Sequence, residues 1–318
     1  MKNLSEKCMF TAVLITVVFW WFTYQITKED DRKCSTYPYC KTIVMGQFNY
    51  ASKNLSTWKN SWSKVVGIND IVIAIPKEDI GLYSSFGVYP FIGKRKFYIG
   101  DNGYYSPYIN MKDIIKETRY LRGILYVHDD MVLTSSVLQK VGGNEWITTN
   151  SHDRDIITIY ETSKVDSAKD APTWWYWWNG CFTAFTKMFT DERLKPYMHQ
   201  TSNQTSYINV TIGPSDMLYA FLPDLEQKNS FINLLEMFAE NELFLECAIP
   251  TALSMMQERF GIKLHNALLC TDWGDLRTKP KEMIDNCMKD EKNYEAYHPV
   301  KISYNQNWTH YFDYLTQT

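Results

Sequence analysis

A short apolar run that ends on two adjacent carboxylates sets the strongest limit on how this chain can fold. Residues 124–127 read Ile-Leu-Tyr-Val and follow Gly123, which interrupts the helical pattern before them. The run predicts a buried strand, and His128, Asp129 and Asp130 come where that strand leaves the core. In open α/β sheets ligands bind outside the carboxyl ends of strands, and paired carboxylates suit a hard divalent cation held against phosphate oxygens. A solvated turn or a helix N-cap is the structural alternative.

Strands and helices alternate in the chain before this motif. Strands are predicted at 42–48, 70–76 and 96–100, and helices at 52–66 and 109–121. This alternation predicts an α/β fold with a doubly wound, mainly parallel sheet flanked by helices. Further strands are predicted at 145–150 and 155–161. The absence of a GxGxxG or GxxxxGK[ST] loop argues against a dinucleotide oxidoreductase or a P-loop NTPase.

The acidic motif in this setting resembles the DxD-type signature of nucleotide-sugar-dependent glycosyltransferases with the GT-A fold. The triplet here reads His-Asp-Asp, so Asp130 matches the acid that binds the metal, while His128 stands where the first acid is usual. The resemblance implies a divalent cofactor, manganese before magnesium, bound by Asp130. It also implies that His128 and Asp129 contact the nucleotide-sugar donor, and that Asp129 takes part in catalysis.

The same resemblance implies how the chain is divided. Residues 42–318 would form a GT-A-like catalytic domain, in which 42–133 bind the nucleotide and 134–318 bind the acceptor.

An aromatic segment, WWYWWNG at residues 174–180, follows a polar loop in the second half. The resemblance implies that such a segment lines the acceptor pocket, through Trp177, Trp178, Asn179 and Gly180. A buried sheet surface that carries large side chains is the alternative. An alternating strand is predicted directly afterwards, from Cys181 to Thr186.

The region from Pro214 to Met256 is predicted to be mainly helical, with one helix capped by Ser215 or Asp216 and another beginning at Glu240 or Asn241. Glu242 and Glu246 lie one helical turn apart and would share a face. The resemblance implies an acidic catalytic base near a helix start in this region. Glu242 is the first candidate, with Glu246 and Asp216 behind it, and an exposed helix carboxylate is the alternative.

A polar stretch near the C-terminus carries His298, Pro299 and Lys301, and it is predicted to form a tight turn. The resemblance implies that a late histidine adds a metal ligand and that a nearby basic residue neutralises the leaving diphosphate. His298 and Lys301 fit those two roles by position. A surface histidine beside a proline is the alternative.

Residues 8–26 predict a membrane span, because they carry no formal charge and would form a helix about 28 Å long, close to the roughly 30 Å of a bilayer core. Bulky residues follow the span, which argues against a cleaved signal peptide. The prediction is an uncleaved N-terminal transmembrane helix that anchors the chain, with 1–7 as a cytosolic tail and 27–41 as a short stem.

Sequons and cysteines place the body in the lumen of the Golgi or endoplasmic reticulum. Asn-x-Ser/Thr sequons begin at Asn54, Asn203, Asn209 and Asn307. Six cysteines follow the anchor, an even number that suits disulfides in an oxidising compartment. Their connectivity stays open, although the nearby Cys34 and Cys40 form the first candidate pair. No CxxC or Cys/His zinc spacing is present.

These features predict a single-pass type II membrane glycosyltransferase that moves a sugar from a nucleotide-sugar donor to a glycan, glycolipid or glycoprotein acceptor. The net charge of −3 offers no basic surface for nucleic acid. A catalytically inactive lumenal carbohydrate-binding or chaperone-like protein with the same fold is the alternative, and His128 in place of the first acid keeps it open. A metal-dependent hydrolase is weaker, because the six histidines form no recognisable ligand cluster.

Overall fold

The structure is a computed structural model that describes residues 42–47, 68–76, 89–93, 97–98, 101–102, 106–118, 121–128, 131–134, 145–150, 155–163, 178–213, 217–271, 280–290 and 293–298. In this part of the chain the strands are β1 Thr42–Gln47, β2 Ile68–Pro76, β3 Tyr89–Gly93, β4 Phe97–Tyr98, β5 Asp101–Asn102, β6 Gly123–His128, β7 Val132–Leu133, β8 Trp146–Asn150, β9 Asp155–Tyr160, β10 His199–Gln200, β11 Ser206–Ile212, β12 Met217–Phe221, β13 Leu264–Thr271 and β14 Ala296–His298. The helices are α1 Ser106–Glu117, α2 Trp178–Met188, α3 Leu225–Glu240, α4 Leu245–Phe260 and α5 Pro280–Lys289, with a short 3₁₀ helix at Lys195–Tyr197.

The large sheet has the strand order β3-β2-β1-β6-β12-β8-β13-β14-β7. Strands β3, β2, β1 and β6 run parallel, as do β8, β13 and β14. β12 is antiparallel to both β6 and β8, and β7 is antiparallel to β14. A smaller antiparallel sheet has the order β10-β11-β9. The fold is therefore mixed α/β with a mainly parallel large sheet, as the alternation of elements predicts.

Strand β6 lies inside the large sheet, between β1 and β12. Gly123 to Val127 are all buried, as a continuous apolar run in a central parallel strand requires. A Cβ atom at Gly123 would lie 2.7 Å from the hydroxyl of Tyr219 and 2.9 Å from that of Thr42, so close approach of neighbouring strands demands glycine. Burial raises the pKa of Tyr219 to about 12, and its hydroxyl therefore stays protonated beside Thr42.

Helices α1, α3 and α4 pack against one another. The buried Tyr108 hydroxyl of α1 donates to the carbonyl of Leu243, between α3 and α4, at 2.5 Å. α3 begins at an Asp224 cap whose carboxylate accepts from the backbone N–H of Gln227 at 2.8 Å. α4 ends at Gly261, which takes a left-handed φ of 60°. This packing fixes the junction between α3 and α4 against the start of α1.

The segment from Cys181 to Thr186 is helical, so the strand predicted there is wrong. It belongs to α2, whose buried positions are 181, 182, 184, 185 and 188. These positions form the apolar face of an amphipathic helix. The helical period can be recognised in the sequence only over a window longer than six residues.

Three other interpretations need correction. The third strand of the large sheet is β3 rather than residues 96–100, and Pro90 is tolerated because β3 is an edge strand. Residues 217–221 form β12 inside the region predicted to be mainly helical. Asn241 ends α3 instead of beginning the next helix, which starts at Leu245.

Several predicted features lie outside the described residues: the anchor at 8–26, the stem at 27–41, Asn54, Asn307, Cys34 and Cys40. The helices that the structure does describe include none with the length and apolarity needed to cross a bilayer. The anchor therefore stays a prediction.

The cysteine prediction is confirmed in part. Cys270 at the end of β13 and Cys287 in α5 form a disulfide. Cys181 and Cys247 are buried free thiols.

The two described sequons differ in setting, and we expect Asn203 to carry a glycan in a secretory host while Asn209 carries none. Asn203 is exposed in the turn between β10 and β11. Asn209 lies in β11, where its side-chain oxygen accepts from Thr158 at 3.0 Å. Asn203→Gln should increase the mobility of the chain on a gel, because the chain loses one glycan. Asn209→Gln is the matched control and should leave the mobility unchanged. A mobility change with Asn209→Gln alone would contradict the expectation.

Candidate functional site

The candidate site lies at the carboxyl end of β6. His128, the last residue of β6, is half-buried and pairs in register with Gln47 at the end of β1. On the other side Val127 pairs with Met217, the first residue of β12. The carboxyl end of β6 therefore lies between the end of β1 and the start of β12. Ligands bind at this kind of position in α/β sheets.

The large sheet curls over this end of β6. Neighbouring strands lie about 4.8 Å apart, so the steps from β6 through β12, β8, β13 and β14 to β7 would cover about 24 Å in a flat sheet. Yet Met131, next to β7, donates its backbone N–H to the carbonyl of His128 at 3.1 Å. β7, which forms the far edge of the sheet, therefore lies close to the end of β6.

Strand β13 makes this curl possible. Its residues 264–268 pair with β8, and its last three residues pair with β14 instead. β14 and β7 consequently stand beyond the carboxyl end of β8, across from the end of β6.

This arrangement brings His298 to the motif. His298 ends β14 opposite Thr271, and its neighbour Tyr297 pairs with Val132 of β7. One further step in that register brings His298 level with Met131, which follows the motif in sequence. His298 is only 3% exposed, so the alternative of a surface histidine is wrong, while the rest of the predicted turn, with Pro299 and Lys301, lies outside the described residues. His128 and His298 thus lie at the same edge of the sheet, although 170 positions separate their numbers.

Glu295, which the sequence analysis missed, connects the strands that carry His298. Its backbone N–H donates to the carbonyl of Leu268 at 2.8 Å, and its own carbonyl accepts from the N–H of Thr134 at 3.0 Å. Its buried carboxylate is 3.0 Å from Nε2 of His265 and accepts from the N–H of Leu268 at 3.2 Å. No local pattern marks this residue, because each of these partners is at least 27 positions away.

Glu295→Ala should lower the free energy of unfolding by about 2 kcal/mol, because the half-buried His265 ring nitrogen and the N–H of Leu268 both lose their partner. Activity should fall as well, since β14 positions His298. Urea unfolding of the full-length protein measures the first effect. Glu117→Ala, at an exposed position that ends α1, is the matched control and should change stability little. Equal stability of the two variants would show that the Glu295 carboxylate does not contribute to the stability of the fold.

The two candidate glutamates are placed differently from the prediction. Glu242 is exposed in the turn between α3 and α4 with a left-handed φ of 53°, so it shares no helix face with Glu246. Glu246 is half-buried in the first turn of α4, and its carbonyl accepts from the N–H of Gly213 at 3.0 Å. Gly213 precedes Met217 by four positions, and Met217 pairs beside the end of β6. The main chain of Glu246 is therefore hydrogen-bonded to a residue four positions before β12, whereas Glu242 lies in an exposed turn.

The predicted acceptor residues fall at the start of α2. Asn179 and Gly180 are exposed, and the Asn179 carbonyl accepts from the Thr183 hydroxyl at 2.8 Å. Trp178 begins α2, while Trp177 lies outside the described residues.

Asp129, Asp130, Asp216 and Lys301 also lie outside the described residues, so their predicted roles stay predictions. The side chains that the structure does describe contain no group of three or more His, Cys, Asp or Glu placed to hold a metal ion.

Comparison with known proteins assigns the chain to no family. No family model matches the sequence. No curated protein matches it. Similar solved structures include 4-diphosphocytidyl-2C-methyl-D-erythritol synthase from Anaerococcus prevotii, at 9% identity and a TM-score of 0.37 over 71% of this chain and 86% of that one. CMP:2-keto-3-deoxy-manno-octonic acid synthetase complexed with CTP is similar at 8% identity and a TM-score of 0.35, over 78% of this chain and 99% of that one.

Proposed function

We propose that this chain is a metal-dependent glycosyltransferase that moves a sugar from a nucleotide-sugar donor to a glycan, lipid or protein acceptor. The pairing of β14 with β7 carries the proposal. It supports a site in which His298 and the His-Asp-Asp motif, far apart in sequence, lie at one edge of an α/β sheet.

The residues at this edge fit a divalent cation. Carboxylate oxygens are the ligands that manganese and magnesium prefer, and imidazole nitrogen also binds first-row metals. Asp130 and His298 would hold the cation, with manganese before magnesium. When bound, the cation would neutralise the charge that develops on the departing nucleoside diphosphate.

The remaining roles belong to side chains of the chain itself. His128 and Asp129 would orient the donor nucleotide, and Lys301 would add positive charge beside the diphosphate. Asn179 and Gly180 would contact the acceptor, together with the Trp177 and Trp178 rings, on which a sugar face can stack.

Glu246 replaces Glu242 as the proposed catalytic base. Its carboxylate would take the proton from the acceptor hydroxyl as that oxygen attacks the sugar. The link from Glu246 through Gly213 to the strand beside β6 supports this choice.

A screen of nucleotide sugars tests the proposal. Full-length protein, expressed in a secretory host and extracted in detergent, should release nucleotide from one donor in the panel when manganese is present. Chelation of the metal should stop the release, and added manganese should restore it. Binding of manganese and nucleotide without release from any donor would favour the inactive carbohydrate-binding alternative. Failure to bind either would contradict the glycosyltransferase proposal.

The proposed setting is the lumenal face of a Golgi or endoplasmic reticulum membrane, with residues 8–26 as the anchor of a type II protein. Protease protection in sealed microsomes tests it. The whole body should be protected, and digestion of the body in intact vesicles would contradict the orientation.

A further inference from the structure

Pro250 is a buried residue in the interior of α4, a helix of 16 residues. In an unbroken helix the N–H of residue 250 would donate to the carbonyl of Glu246, four positions earlier. Proline has no N–H, and its ring clashes with that carbonyl, so proline is disfavoured inside a helix. The Glu246 carbonyl instead accepts from the backbone N–H of Gly213 at 3.0 Å. Pro250 therefore leaves this carbonyl to a residue outside the helix.

Gly213 is buried and directly follows β11, and α4 packs along this end of the strand. In the described residues β10 pairs with β11 only at Ser206 and Tyr207. Further along β11, the N–H of Thr211 donates to the Thr251 hydroxyl at 3.0 Å, and that hydroxyl donates to the Thr211 carbonyl at 3.1 Å. Backbone groups of alternate residues in a strand point to the same side. α4 thus gives Thr211 and Gly213 the hydrogen-bonding partners that a neighbouring strand would give them.

The chain continues from Gly213 to the strand beside the candidate site. Met217, four positions later, begins β12 and pairs with Val127, the residue before His128. The bond between Gly213 and Glu246 therefore fixes the point from which the chain enters β12.

We infer that Pro250 is a positioning residue, which leaves the Glu246 carbonyl to Gly213 and so fixes the entry to β12 against the start of α4. Alanine at this position would suit the helix better and would add an intrahelical hydrogen bond. A residue that opposes local preference in this way is expected where function sets the choice. The effect on turnover rests on the proposed function, in which Glu246 is the base, whereas the effect on the backbone does not.

Hydrogen exchange at the Gly213 amide tests the inference without an assay of activity. Full-length protein in detergent is labelled in deuterated water, digested and analysed by mass spectrometry, with overlapping peptides that isolate residue 213. The amide should exchange slowly in the wild type. In Pro250→Ala it should exchange faster by a factor on the order of 10, because the N–H that alanine supplies competes for the Glu246 carbonyl. Fast exchange in the wild type, or equal rates in the two proteins, would overturn the inference.

Melting temperature and turnover together separate positioning from general support of the fold. The melting temperature of Pro250→Ala should stay within about 3 °C of the wild type, because the added helical bond offsets the lost one. Its kcat should fall by a factor on the order of 10, with KM for the donor within about twofold, because Glu246 and β12 would shift relative to each other.

Thr251→Val is the matched control, since it removes the hydroxyl that bonds Thr211 and leaves Pro250 in place. It should lower the melting temperature by on the order of 5 °C and leave kcat within about twofold. A kcat that follows the melting temperature in both variants would show that Pro250 only supports the fold, which would overturn the inference. Absence of turnover in the wild type would contradict the proposed function instead, and the exchange rates would still decide the role of Pro250.

Discussion

Full-length protein carrying Asp130→Asn should lose metal-dependent turnover by a factor on the order of 100 to 1000. Asparagine keeps the shape of the side chain and removes its negative charge, so the cation would lose a carboxylate ligand. The departing diphosphate would then lose the counter-charge that the cation supplies in the transition state. Steady-state nucleotide release in the presence of manganese measures the loss.

Thermal unfolding separates this effect from misfolding. The metal-free melting temperature of Asp130→Asn should stay near that of the wild type, while the rise given by manganese with nucleotide should disappear. Asp129→Asn is the matched control, with a smaller loss expected because Asp129 is proposed to orient the donor. Full activity of Asp130→Asn would remove the main support for the glycosyltransferase proposal, and so would its unfolding.

Glu246→Gln should lower kcat by about 100-fold to 10,000-fold, the range expected when a general base is removed. The amide retains the size of the side chain and cannot accept the acceptor proton. Donor binding should change little, so the Kd for manganese with nucleotide should stay within about twofold. The measurement is kcat with saturating donor and acceptor, once the nucleotide-sugar screen has identified the donor.

Glu242→Gln is the matched control for Glu246→Gln. Both residues lie at the junction of α3 and α4, but only Glu246 is half-buried and tied to Gly213. Glu242→Gln should leave kcat within about twofold of the wild type, as most exposed substitutions away from a site do. Loss of activity with Glu242→Gln and full activity with Glu246→Gln would reverse the assignment.

Local sequence pattern was sufficient for the elements near the motif. The apolar runs predict strands β1, β2 and β6, which pair in parallel, and the segment of residues 109–121 predicts most of α1. These predictions succeed because a strand with neighbours on both sides must be apolar along its whole length. The α/β class then follows from the order of such elements.

The sequence pattern was insufficient to distinguish a helix from a strand where a short segment fits both the helical period and the alternation of a strand. Residues 181–186 alternate well enough to resemble a strand, and only the buried positions further along α2 reveal the helical stripe. The start of α4 was misplaced for a related reason, since Asn241 can either begin a helix or end one. Its amide donates to the carbonyl of Met237, which makes it the end of α3.

The sequence by itself determined that β6 is a buried strand that delivers His128 to the carboxyl edge of a sheet, because apolar runs and breakers act locally. The tertiary structure alone decided that His298 is buried at that edge and that Glu295 joins β13 to the strand beside β7. Each of these contacts joins segments that are far apart in the chain. Such contacts depend on which strands pair and which helices pack, and no short stretch of residues carries that information.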